Sequence, residues 1–119
     1  MNTNLVQQLQ DIHVKAWNEK EATKRLELLQ IIYAEDIKMY DRDLIIEGLT
    51  GIADFIATLI SEDPAYSFAM ASPLETLQNS ARLYGHIQTS GGPLNSMDFF
   101  LIEDGKVKHL YAYMSPDTI

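Results

Sequence analysis

The chain has no cysteine among its 119 residues, so it can form neither a disulfide nor a thiolate metal site, and a reducing cytoplasmic location is the expectation. Basic residues are scarce as well: nine Lys and Arg stand against seventeen Asp and Glu, for a net charge of −8. The largest basic cluster is the pair Lys24-Arg25. Phosphate backbones and anionic membrane surfaces are held by basic patches, so neither nucleic acid nor a membrane is expected as a partner. No apolar run approaches the ~20 residues of a membrane span, and Met1-Asn2-Thr3-Asn4 offers no basic region of the kind that opens a signal peptide. Glycine and proline, at six and four residues, are too few for a linker or a low-complexity segment. With 46% hydrophobic and 22% charged residues, the composition is that of a globular chain whose length suits one core, and a single domain over residues 1–119 is expected.

Two hydrophobic periods divide the sequence. Over residues 4–18, Leu5, Leu9, Ile12 and Ala16 recur at helical spacing with His13 and Trp17 beside them, while Gln7, Gln8, Asp11 and Lys15 take the other face. Residues 23–34 repeat the pattern through Leu26, Leu29 and Tyr33, and residues 49–61 do so through Leu49, Ile52, Ala53, Ile56 and Ile60, ending before Pro64. Two short strands, 37–41 and 44–47, lie between the second and third helices. After Ala65 the period becomes two: a strand through Tyr66, Phe68 and Met70 is followed by long strands at 81–90, 94–102 and 106–114, the last pair joined by the hairpin signal Asp104-Gly105. Helices first and an antiparallel meander last predict an α+β layer fold.

Two carboxylates stand where strands are built to be buried. Asp41 shares a parity with Ile37 and Met39, and Asp98 with Phe100 and Ile102, so both side chains point inward. A buried carboxylate without a partner costs several kcal/mol, which marks the pair as a candidate site. Trp17, Phe55, Phe100, Leu110 and Met114 are the aromatic and apolar residues expected to supply core or ligand-binding wall around it. On the last strand Val107, His109, Tyr111 and Tyr113 form the opposite parity, matched by Arg82, Tyr84, His86 and Gln88. Aromatic residues mixed with Arg and His are what association surfaces favour, so this face is expected to form a homodimer. His86 and His109 lack a third ligand of fixed placement there, and no metal site is expected.

The order helix, helix, short hairpin, helix, long curved sheet resembles the nuclear-transport-factor-2-like superfamily over almost the whole chain. The residues that carry the resemblance are Ala16-Trp17-Asn18, Tyr33-Ala34-Glu35-Asp36, Glu47-Gly48 with Gly51-Ile52 and Phe55, the Asp98-x-Phe100-x-Ile102 run, and Asp104-Gly105-Lys106-Val107. It implies a cone-shaped curved antiparallel sheet wrapped around N-terminal helices, a cystatin-like arrangement shared by ketosteroid isomerases and SnoaL-like polyketide cyclases. Carried over by position, Asp41 matches the general base of the isomerases. Asp98 matches their carboxylic acid donor to the substrate oxyanion, a pairing for which ketosteroid isomerase is the standard worked example. His13 stands where those enzymes place a second oxyanion donor, a tyrosine.

Two functional classes follow. In the first, the chain is an isomerase or cyclase that needs no cofactor: Asp41 removes a proton next to the carbonyl of a small apolar ketone or phenolic ligand, and Asp98 and His13 stabilise the enolate. In the second, the same domain is a non-catalytic ligand-binding or dimerisation module. The first is carried slightly ahead, and convergence of Asp41, Asp98 and His13 on one cavity is the geometric test.

Overall fold

The computed structural model describes residues 2–116. Helix α1 (Thr3–Ala16) opens with Asn2, whose side chain accepts from the Leu5 amide at 2.8 Å and so satisfies one of the four free N–H groups of the first turn. Helix α2 (Ala22–Ile32) runs directly into strand β1 (Tyr33–Tyr40). Tyr33, expected on the helix, is the residue at which the backbone turns extended, with ψ 144°. Strand β2 (Ile45–Glu47) leads into helix α3 (Gly48–Glu62), and strands β3 (Ser67–Met70), β4 (Glu75–Leu77), β5 (Ser80–Gln88), β6 (Leu94–Glu103) and β7 (Lys106–Pro116) complete the chain. Strand β4, absent from the sequence reading, forms a short hairpin with β5 through Gln78 and Asn79.

The seven strands form one curved sheet in the order β2-β1-β7-β6-β5-β3, with β4 also paired to β5. The sheet is antiparallel except at one seam, where β1 runs parallel to β7. The β6–β7 hairpin closes on Asp104 and Gly105, both at positive φ (53° and 76°), the conformation a two-residue turn of this twist requires.

The three helices cover the concave face. The buried stripe of α1 is Leu9, His13 and Ala16, that of α2 includes Leu29 and Ile32, and that of α3 is Ile52, Ala53 and Ile56. They pack on Ile37, Met39, Leu83, Phe100 and Leu110 of the sheet. Val107, expected on the outer face with His109, is instead buried in this core. The cause is a bulge: Leu101 pairs with His109 but Ile102 pairs with Val107, so one extra residue in β7 reverses the side-chain parity between them. The outer face carries a stack of Tyr40 on Tyr111 at 4.5 Å, with His109 donating to or accepting from the Tyr40 hydroxyl at 3.0 Å. Among the described residues no helix is long and apolar enough to cross a membrane, and no group of three or more His, Cys, Asp or Glu could hold a metal ion.

Arg25, half of the only basic pair singled out from the sequence, is buried without a carboxylate partner among the described residues. Its guanidinium donates to the carbonyls of Glu19, Lys20 and Ala53, at 2.9, 3.2 and 3.5 Å. The planar fork thereby fastens the α1–α2 turn to α3, which a point-charge lysine could not do.

Candidate functional site

The inward face of β6 presents Ser96, Asp98 and Phe100, all buried. Phe100 lies under the edge of the His13 ring, with centroids 4.9 Å apart, because His13 belongs to the buried stripe of α1. The imidazole is bonded at both ends. Its Nε2 lies 2.9 Å from Asp98 Oδ2, and its Nδ1 meets the Tyr33 hydroxyl. That hydroxyl in turn accepts from Trp17 Nε1–H at 2.9 Å.

These contacts assign the protons. Burial pushes the Tyr33 hydroxyl well above the usual tyrosine range, so it keeps its proton. Since Tyr33 Oη already accepts from Trp17, its proton is used only if it goes to His13 Nδ1; the imidazole proton then sits on Nε2 and is donated to Asp98. The reverse tautomer would leave the buried Tyr33 proton without an acceptor, at about 1–3 kcal/mol. The chain of donors therefore runs Trp17, Tyr33, His13, Asp98, and Asp98 is its acceptor.

Asp98 also faces a cavity of about 190 Å³, lined on its apolar side by Trp17, Met39, Phe55, Leu59, Phe68 and Ile87. The register places Asp41 across from it. Tyr40 pairs with Tyr111, which sets Asp41 beside Ala112, and Ala112 pairs with Asp98. The two carboxylates thus flank a small side chain across three strands, with Cα atoms about 9.5 Å apart at ordinary strand spacing. Asp41 lies at the cavity mouth. Its amide closes the turn to Leu44 O at 2.9 Å, and its carboxylate has no hydrogen-bond partner among the described residues.

The far end is closed by side chains that bind backbone. The Asp63 carboxylate accepts from the amides of Ala65 (2.9 Å) and Ser90 (3.0 Å) and from the Ser90 hydroxyl (3.2 Å), which holds it below the usual carboxylate range and ties the end of α3 to the β5–β6 turn. Asn18 grips β3 by accepting from the Phe68 amide at 2.8 Å and donating to its carbonyl at 2.7 Å. Tyr66 donates to Trp17 O at 2.8 Å, and burial, with the nearby Asp98 charge, raises its pKa.

Of the residues expected at the site, Asp41, Asp98, Trp17, Phe55 and Met114 line this one cavity. His13 stands one layer behind, bonded to the oxygen of Asp98 rather than exposed to the space in front of it. Phe100 and Leu110, expected as core or wall, are core residues: they pair with each other across β6 and β7, and Phe100 packs under His13 of α1. Ser96, Tyr66, Asp63 and Tyr33 were not anticipated. Only Ser96 had a signal, the same strand parity as Asp98.

No protein-family model matches the chain, and no curated protein matches it. Solved structures do. A protein from Agrobacterium tumefaciens, described as a candidate isomerase of the SnoaL-like family, superposes with a TM-score of 0.82 at 21% identity, over 95% of this chain and 99% of that one. A candidate ketosteroid isomerase from Kribbella flavida gives 0.75 at 17% identity, over 98% and 82%. A nuclear-transport-factor-2-like protein of unknown function from Cytophaga hutchinsonii gives 0.73 at 13% identity, over 98% and 94%. At these identities the likeness is one of architecture, and it agrees with the helix-covered curved sheet described above: the chain has the nuclear-transport-factor-2-like fold.

Proposed function

We propose that the protein is an isomerase- or cyclase-type enzyme that takes a small neutral carbonyl compound into the cavity and moves a proton beside the carbonyl with a carboxylate. The observation that carries this reading is the placement of Asp98 and Asp41 on either side of Ala112 in an otherwise largely apolar cavity. The fold likeness to candidate isomerases adds support by analogy only, since one architecture hosts many chemistries.

The hydrogen-bond chain favours exchanging the two roles implied by the family resemblance. Asp98, held by a donated His13 proton, is oriented to accept rather than to donate. It is therefore assigned as the base: the carbon–hydrogen bond next to the carbonyl breaks, the proton passes to the Asp98 carboxylate, and the electron pair moves into an enolate. Return of that proton to another carbon completes an isomerisation with no redox change. His13 positions Asp98 without touching the ligand, and Asp41 at the mouth is the second proton carrier. The cavity sets the ligand's size. An apolar space of about 150 Å³ accommodates benzene, so 190 Å³ suits one ring with a short substituent and not four fused rings.

The assay needs no knowledge of the natural substrate. Single-ring ketones in D2O exchange the hydrogens beside the carbonyl, and proton NMR follows the loss of signal. Wild type should accelerate exchange for at least one ring size, and Asp98→Asn should reduce the acceleration by about 100-fold or more. A larger loss in Asp41→Asn would restore Asp41 as the base. No acceleration by wild type across the series would replace the catalytic reading with that of a ligand-binding module.

A further inference from the structure

The cavity carries negative charge and no counter-charge. Three carboxylates line it, those of Asp41, Asp63 and Asp98, and no Lys, Arg or His does so among the described residues. The charge of Asp63 is met by the three donors already described. Asp41 has no such donors, and the neighbouring Arg42 lines the outer groove rather than the cavity. Asp98 is the buried one, 8% exposed, and among the described residues its ion-pair neighbour is His13 alone. An imidazole that accepts from Tyr33 at Nδ1 while donating at Nε2 is neutral, so the chain behind Asp98 supplies a hydrogen bond and no charge.

Asp98 Oδ1 is also the polar atom that β6 offers to a ligand. It has no hydrogen-bond partner among the described residues and keeps surface open to the cavity. The Ser96 hydroxyl on the same face is shut away instead, against Gly85 and Phe68, so closely that a Cβ on Gly85 would lie 2.7 Å from both Ser96 Oγ and Phe68 Cε1. A buried carboxylate without a counter-charge is costly, and a ligand that brings the missing charge recovers that cost on binding. No group of three or more His, Cys, Asp or Glu among the described residues could hold a metal ion. The wall selects an organic cation: Trp17, Phe55, Tyr66 and Phe68 set aromatic rings around the space, and rings attract an ammonium most strongly where water is excluded. The chain's net charge of −8 draws cations toward it.

We propose that the cavity is a binding site for a protonated single-ring amine, whose ammonium pairs with Asp98 Oδ1 while its ring fills the apolar space. The inference rests on the ionised Asp98 of the reading above and goes beyond it, because the amine is held and not turned over. A volume of about 190 Å³ admits one six-membered ring with a short arm. By occupying the base, the amine competes with the carbonyl compound.

The test compares benzylamine, protonated at neutral pH, with benzyl alcohol, which has nearly the same shape and no charge. Binding to wild type and Asp98→Asn is read from the NMR shifts of the Ala112 and Met114 methyl groups. Wild type should hold the amine about tenfold or more tightly than the alcohol, the worth of a hydrogen bond to a charged group. Asp98→Asn should lose about that factor for the amine and keep its affinity for the alcohol, whose binding shows that the variant's cavity is intact. Asp41→Asn, at the mouth, should cost the amine about threefold, as for a partly exposed ion pair. In wild type the Asp98 carboxyl carbon signal should move with the amine and not with the alcohol, a reading that needs no variant. Equal affinities in wild type overturn the proposal, and so does an amine affinity that survives Asp98→Asn, because the cation would then be held elsewhere. Benzylamine should also slow the D2O exchange of ring ketones competitively. Exchange without amine binding strikes this inference alone, whereas amine binding without exchange strikes the carbonyl reading alone. If neither compound shifts the two methyl groups, the one-ring cavity and the inference fall together.

Discussion

Replacing Tyr33 by Phe removes one oxygen atom from the middle of the Trp17–Tyr33–His13–Asp98 chain, and its cost follows from what the oxygen holds. His13 Nδ1 loses its donor in a place where the histidine is 1% exposed, and Trp17 Nε1–H loses its acceptor in a half-buried one. An orphaned buried polar group costs about 1–3 kcal/mol, and a partly exposed one less because water replaces the lost partner. The sum is about 2–4 kcal/mol, a large fraction of the ~5–15 kcal/mol that stabilises a domain. With a urea slope of ~1.5 kcal/mol per molar, the unfolding midpoint should fall by about 1.3–2.7 M at unchanged slope. Tyr40→Phe is the control, since it also removes a hydroxyl bonded to a histidine, but on the half-buried outer face. It should cost about 1 kcal/mol or less. Equal shifts for the two variants, or a Tyr33→Phe midpoint within about 0.3 M of wild type, would refute the argument that the buried chain is continuous. The same substitution frees His13 to change tautomer, so it should also loosen Asp98 and lower any proton-transfer activity without altering a cavity wall.

Tyr33 and Tyr66 both have raised folded pKa values, so the stability that depends on their neutral forms is full below pH ~10 and is lost as pH climbs through the folded values. Absorbance titration should find both resisting ionisation until the protein unfolds, and early ionisation of either would contradict their burial. Arg25→Ala removes three bonds to carbonyls from a buried site and should cost about 3 kcal/mol or more. Arg25→Lys should recover less than half of that, because an ammonium cannot span the three acceptors; full rescue in thermal melts would show that charge alone matters there.

Asp98 also illustrates how a residue's partner decides its role. The family resemblance implies that the equivalent carboxyl stays protonated and donates a hydrogen bond to the substrate oxygen. In this chain the residue behind it is His13, itself supplied with a proton from Tyr33, and a carboxyl that receives a hydrogen bond is an acceptor.

Much of this was legible in the sequence because it depends on local periods. The spacing of Leu9, His13 and Ala16 fixes one buried helix face, Asp104-Gly105 fixes the turn that sets the β6–β7 register, and alternation alone turns Asp41 and Asp98 inward. Periodicity says which face a side chain takes, but not what covers that face. Phe100 shares the parity of Asp98, yet one lies beneath α1 and the other opens on the cavity, because the helices cover only part of the concave sheet. The bulge that buries Val107, the parallel seam of β1 and β7, and the fit of Gly85 to Ser96 all depend on pairing between strands. The contact between His13 and Asp98, 85 residues apart in the chain, depends on the packing of α1 against β6. Side-chain alternation is a property of each strand alone and is written in its own residues, whereas strand pairing and helix coverage are settled by the free energy of the whole packed core.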